Sequence, residues 1–209
     1  RIKLVAWSPD GNFLAYVKDT KLEIVDEEKV TSFDLSGIEI YSIAWHPGLS
    51  QVLPNSNFLA TVGSGNQLLI WDVSTMTIVQ SEHLDVTSRD LVWSPDGKLF
   101  AIVNDMGQLI VYDSELKKIR EVKITNDYLR AVDWSSNGRF LVMGSDDNSL
   151  VIYDWERKRV TERLSNHTDW IRDVLWLDNT HFASAGDDSK TIVWELSARE
   201  GTYAPLQIL

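Results

Sequence analysis

The 209-residue chain contains no cysteine, five prolines and four histidines. Without thiols there is no disulfide framework, no thiolate zinc site and no cysteine nucleophile. No apolar run approaches the roughly 18 residues of a membrane-spanning helix, and no secretory signal pattern is present. The first residue is Arg1 rather than Met. The expectation is therefore an intracellular chain, cytoplasmic or nuclear, that is part of something longer. Positive charge is also scarce, with 20 Lys and Arg against 31 Asp and Glu and a net charge of −11. A broad nucleic-acid or anionic-membrane footprint needs a dense basic surface, so neither partner is expected. What is present is apolar and aromatic: 44% hydrophobic residues and nine Trp, which exclude a disordered chain.

Five of the tryptophans close similar phrases: Val5-Ala6-Trp7-Ser8-Pro9, Ile43-Ala44-Trp45-His46-Pro47, Leu91-Val92-Trp93-Ser94-Pro95, Val132-Asp133-Trp134-Ser135-Ser136 and Val174-Leu175-Trp176-Leu177-Asp178. They stand 38, 48, 41 and 42 residues apart. A period near 40 residues is the length of one four-stranded propeller blade. After each phrase comes a turn pair (Asp10-Gly11, Asp96-Gly97, Asn137-Gly138 and the weaker Asp178-Asn179), then a short apolar strand and a second polar turn. Asn, Asp and Gly tolerate the positive φ that tight hairpins demand. A third strand ends in an aromatic or aliphatic residue before an acid, as in Trp71-Asp72, Tyr112-Asp113 and Trp194-Glu195, and a more polar fourth strand closes the unit. The loop from Gly48 to Ser56 accounts for the one long spacing.

Short strands between turn signals, with no helical periodicity, predict an all-β fold. The phase predicts five four-stranded antiparallel blades over about 1–37, 38–85, 86–126, 127–168 and 169–209.

Trp71-Asp72 and the fifth unit, Asn166-His167-Thr168-Asp169-Trp170-Ile171-Arg172-Asp173-Val174 with Ser184, Asp188 and Trp194, give the sequence its resemblance to the WD-repeat family of β-propellers. The resemblance implies a hydrogen-bonded tetrad of His167, Ser184, Asp188 and Trp194 that stitches one blade together. It also makes the Asn166-His167-Thr168 sequon a structural feature. The His position is taken by Ser36, Leu84 and Thr125 in the second to fourth units, so those blades are expected to rely on apolar packing. WD propellers usually have seven blades, so the chain is expected to be five blades of a seven-bladed propeller. Its end faces would then meet the remaining blades or another chain.

Enzymatic readings need convergent groups. The four histidines, His46, His83, His167 and His181, occupy different blade positions, and the Asp146-Asp147 and Asp187-Asp188 pairs sit in turns without a calcium ligand set. Gly63-Ser64-Gly65 has no following Lys or helix and reads as a turn rather than a phosphate cradle. No catalytic residue, metal or cofactor is expected.

Four residues before the five tryptophans stand Lys3, Tyr41, Arg89, Arg130 and Arg172. The resemblance places this position at the top rim of the central channel, where the side chains would form a basic arc in an acidic chain. Tyr128 and Trp170 flank it. One reading is a binding surface for an acidic or phosphorylated segment of another protein, with the Arg forks taking carboxylate or phosphate. Another is that the arginines pair with neighbouring Asp90, Asp127, Asp169 and Asp173 and hold the blades in register. The functional expectation is a non-catalytic scaffold within a multiprotein complex. The alternative is a propeller enzyme or small-anion-binding domain using the channel arginines.

Overall fold

The structure, a computed structural model, describes residues 1–27, 29–35, 37–48, 57–196 and 202–209. Ser36 and most of the Gly48 to Ser56 loop lie outside them. Twenty strands form five four-stranded antiparallel sheets, and among the described residues there is no helix. Blade 1 is β1 (Ile2–Trp7), β2 (Phe13–Lys18), β3 (Lys21–Asp26) and β4 (Lys29–Asp34). Blade 2 is β5 (Ile40–Trp45), β6 (Phe58–Gly63), β7 (Gln67–Asp72) and β8 (Thr77–His83). Blade 3 is β9 (Ser88–Trp93), β10 (Leu99–Asn104), β11 (Gln108–Asp113) and β12 (Lys118–Lys123). Blade 4 is β13 (Leu129–Trp134), β14 (Phe140–Ser145), β15 (Leu150–Asp154) and β16 (Arg159–Leu164). Blade 5 is β17 (Ile171–Trp176), β18 (His181–Gly186), β19 (Thr191–Leu196) and β20 (Tyr203–Ile208).

Every blade is a meander in chain order, and the first strands β1, β5, β9, β13 and β17 lie side by side along the inside. The recurrent phrase after each Trp has a physical cause. In blades 1, 3 and 4 the Ser hydroxyl (Ser8, Ser94, Ser135) donates to Asp10, Asp96 or Asn137 and accepts the main-chain N–H of Phe13, Leu99 or Phe140, closing the hairpin. Gly11, Gly97 and Gly138 follow with φ near +70°, which glycine adopts without strain.

Alternating side chains of the middle strands feed two different cores. In blade 2, Leu59, Leu69 and Trp71 pack against blade 1, whereas Ala60, Val62, Leu68 and Ile70 pack against blade 3. The clusters between blades 3 and 4 and between blades 4 and 5 are built the same way. The hydrophobic cores are therefore the interfaces between blades, and stability depends on stacking neighbours. The two end faces break the pattern. Trp7 is 64% exposed, while its repeat equivalents Trp45 and Trp93 are 8% and 6% exposed. At the other end Leu175, Leu177, Leu206 and Ile208 are exposed.

Candidate functional site

The start of each inner strand and the turn between the second and third strands meet on one rim of the arc, because antiparallel strands bring those two ends together. Arg89, Arg130 and Arg172 each occupy the second position of an inner strand, and each guanidinium is held bidentately by the acid in its own blade's second turn. Arg89 Nη2 lies 2.6 Å from Asp105 Oδ2. Arg130 donates to both oxygens of Asp146 at 2.8 and 2.6 Å, and Arg172 Nε reaches Asp187 Oδ1 at 2.8 Å. Lys3 pairs with Glu39 across the junction of blades 1 and 2. The arginines are thus paired, but not with the sequence-adjacent Asp90, Asp127, Asp169 or Asp173. Side chains next to one another on a strand point to opposite faces, whereas the turn acid sits across the ladder. The forks leave little uncompensated charge: Asp105 raises the pKa of Arg89, and Arg172 lowers that of Asp187.

Aromatic rings alternate with these pairs. The Arg89 guanidinium lies 4.7 Å from the Tyr41 ring centroid. Arg130 lies between Tyr128 and Trp170, at 5.2 and 5.5 Å, and Arg172 stacks on Trp170 at 4.9 Å. Tyr128 and Trp170 remain more than two-fifths exposed. The rim is a ladder of ordered guanidinium groups and partly exposed rings rather than a bare cationic patch.

Asp90, Asp133 and Asp173, also on inner strands, have a different role. Asp90 accepts from Ser42 Oγ of blade 2 at 2.6 Å and from the main-chain N–H of Val132 in blade 4 at 2.9 Å, besides that of Leu91. Asp133 likewise accepts from Trp176 N in blade 5 at 2.7 Å. Each carboxylate ties its blade to the next. Both are half-buried, yet the surrounding blades exclude enough water that burial pushes Asp90 up to about 7 and Asp133 up to about 6. Asp173 accepts from Val174 N at 2.9 Å and is exposed on the end face. Sequence reading missed this use of inner-strand aspartates, although an Asp one to three residues before the Trp recurs in blades 3, 4 and 5.

In blade 5, Trp194 Nε1 donates to Ser184 Oγ at 2.9 Å, Ser184 Oγ lies 2.8 Å from His167 Nε2, and His167 Nδ1 lies 3.0 Å from Asp188 Oδ1. With the proton on Nδ1, every donor in this chain faces an acceptor. Blade 2 keeps one link, Trp71 Nε1 to Thr61 Oγ1 at 3.2 Å, and blade 4 another, Thr125 Oγ1 to Asp147 at 2.8 Å. His167→Ala leaves buried partners unsatisfied and is expected to cost about 1–3 kcal/mol in urea unfolding; Thr125→Ala, whose link is exposed, is expected to cost less.

Among the described residues no group of three or more His, Asp or Glu is placed to hold a metal ion, and no helix is long and apolar enough to cross a membrane. His46 is fully buried between blades 2 and 3, at the start of the hairpin that follows β5. Trp155 is half-buried, edge-to-face with Trp134 at 5.7 Å, and its ring is covered by Lys158.

Five stacked antiparallel blades with an inner-strand Trp repeat make this chain a WD-repeat β-propeller. The family model described as the WDR19 first β-propeller matches residues 41–202, and the chain belongs to that family. No curated protein matches the sequence. Among solved structures the chain is similar to the β-propeller domain of Cps50 (Swd1) from Myceliophteria thermophila, at 13% identity and a TM-score of 0.82, covering all of this chain and 71% of that one. That likeness is one of fold. WD propellers are in general scaffolds for protein interaction and are typically non-catalytic.

Proposed function

We propose that this chain is a non-catalytic platform within a multiprotein complex, and that its rim of Lys3, Tyr41, Arg89, Arg130, Arg172, Tyr128 and Trp170 receives an acidic or phosphorylated segment of a partner protein. The observation that supports this most is the ladder itself. Each turn carboxylate takes the Nε edge of its guanidinium and fixes the plane, leaving the outer edge for a further acceptor beside partly exposed rings. Tyr, Trp and Arg are the residue types that dominate binding hot spots. Because the forks are already neutralised, ring contacts and directional hydrogen bonds carry the affinity, and net attraction contributes little.

The test is an array of acidic and phosphoserine peptides probed with the wild-type chain and with the Tyr128→Ala/Trp170→Ala double variant, which leaves every ion pair in place. Selective binding of acidic or phosphorylated peptides, weakened at least about tenfold in the double variant, is expected. Binding that ignores both peptide charge and the double variant would refute the reading.

We also propose that the end faces receive the remaining blades of the same propeller. Trp7, Val5 and Ile2 on blade 1 and Leu175 on blade 5 hold the positions that elsewhere form or pack against the inter-blade cores. Asp173 presents to a next blade the carboxylate with which Asp90 ties blade 3 to blade 4.

A further inference from the structure

On the face opposite the rim, between blades 3 and 4, lies a cleft of about 510 Å³ with Pro95 and Leu99 on one side and Trp134, Gly138 and Trp155 on the other. The preceding junction shows one side chain that fills such a space; Ser8, Ser94 and Ser135 hold the equivalent position in blades 1, 3 and 4. Between blades 2 and 3, His46 follows the inner-strand Trp of blade 2 and fills the corresponding position. Its ring meets Trp93 edge-on at 4.7 Å, its Nε2 lies 3.0 Å from the Gly97 carbonyl, and its Nδ1 accepts the N–H of Gly48. The repeat equivalents at the next junction are Ser94, Trp134 and Gly138. Ser94 is too small to reach across, and its hydroxyl is used within its own turn. Built methyl groups measure the difference. A Cβ on Gly97 would come within 2.6 Å of His46 Nε2, whereas one on Gly138 meets nothing nearer than Pro95 Cδ at 3.9 Å. The junction is also less tightly joined: Trp93 Nε1 donates to the Ala44 carbonyl at 3.3 Å, but the buried Nε1 of Trp134 has no partner.

We propose that this cleft is a second binding site, distinct from the rim, for a partner segment that inserts a histidine side chain. The imidazole takes the place that His46 holds one junction earlier, edge-on to Trp134, with a ring N–H donated to the Gly138 carbonyl. The cleft is larger than one imidazole and also takes adjoining main chain along Pro95 and Trp155. Asp96 and Glu156 stand at its edge, each sharing its charge with a surface cation, Lys98 at 3.2 Å and Arg139 at 3.5 Å. No Lys or Arg lines the cleft, so the flanks of the inserted residue are basic.

The probe is the acetylated, amidated tripeptide Lys-His-Lys, titrated into the ¹⁵N-labelled chain while the indole N–H resonances of Trp134 and Trp155 are followed. These resonances are assigned by their loss in Trp134→Phe and Trp155→Phe. A saturable millimolar response in both indoles is expected, with none from Lys-Ala-Lys. Ser94→His supplies the imidazole from within and is expected to weaken the response at least about tenfold. If Ser94→His does not fold, Trp155→Ala, which removes the outer wall, is expected to do the same. The proposal is overturned if Lys-His-Lys leaves both indoles unmoved, if Lys-Ala-Lys moves them equally, or if neither folded variant weakens the response.

Discussion

Asp90→Ala is expected to lower stability by about 2–4 kcal/mol, because one carboxylate serves donors from three blades and its removal leaves the Ser42 hydroxyl and the Leu91 and Val132 amides without an acceptor. In a chain of this size that is roughly 5–15 °C in Tm, readable by thermal melting. The pH dependence gives a second readout. Burial raises the Asp90 carboxyl to about 7 from an ordinary value near 3.8. Between those values the folded protein keeps a proton that the unfolded chain has released, so this group makes stability fall as pH rises from about 4 to about 7 and then level off. Asp133, raised to about 6, adds the same sign over a narrower window. Asp90→Asn, which cannot titrate, is expected to flatten the decline. An unchanged pH profile, or an Asp90→Ala variant as stable as the wild type, would show that this link does not join the blades.

Arg130→Ala and Arg172→Ala are expected to differ although both remove the same element of the repeat. The Arg130 and Asp146 side chains are only 15% and 10% exposed, and the guanidinium is held between two rings. Removing it strands a largely buried carboxylate, at a cost of about 3 kcal/mol. The Arg172 and Asp187 side chains are 42% and 38% exposed, where water replaces the lost partner and the cost stays under about 1 kcal/mol. Urea unfolding of the two variants separates them. Equal losses would mean that depth in the arc does not set the strength of these pairs. Arg130 is therefore a poor choice for probing partner binding, and the exposed rings of Tyr128 and Trp170 are the better one.

The blade architecture was readable because the Trp phrases, the hairpin glycines and the polar second turns repeat in phase, and each has a local cause that does not depend on distant contacts. His167, Ser184, Asp188 and Trp194 were readable through the resemblance of the fifth unit to the WD-repeat pattern, since Ser36, Leu84 and Thr125 take the His position in other units. The partners of the rim arginines were not found by looking at adjacent acids. Asp105, Asp146 and Asp187 lie 15 or 16 residues downstream, and only the hairpin between strands one and two brings them alongside. An acid recurring at one turn position in three units was the available signal. The cleft is legible only in the contrast of His46 with Ser94 at one repeat position, because a void left by a small side chain carries no reactive group of its own.

Docking of a partner on the rim is tested most directly by coupling a photoreactive group to the tightest-binding acidic or phosphorylated array peptide and mapping where it attaches. Adducts confined to Lys3, Tyr41, Tyr128 and Trp170 are predicted. Adducts on the outer strands around Ile78 and Ile119, or in the cleft beside Trp155, with the rim unlabelled, would contradict it.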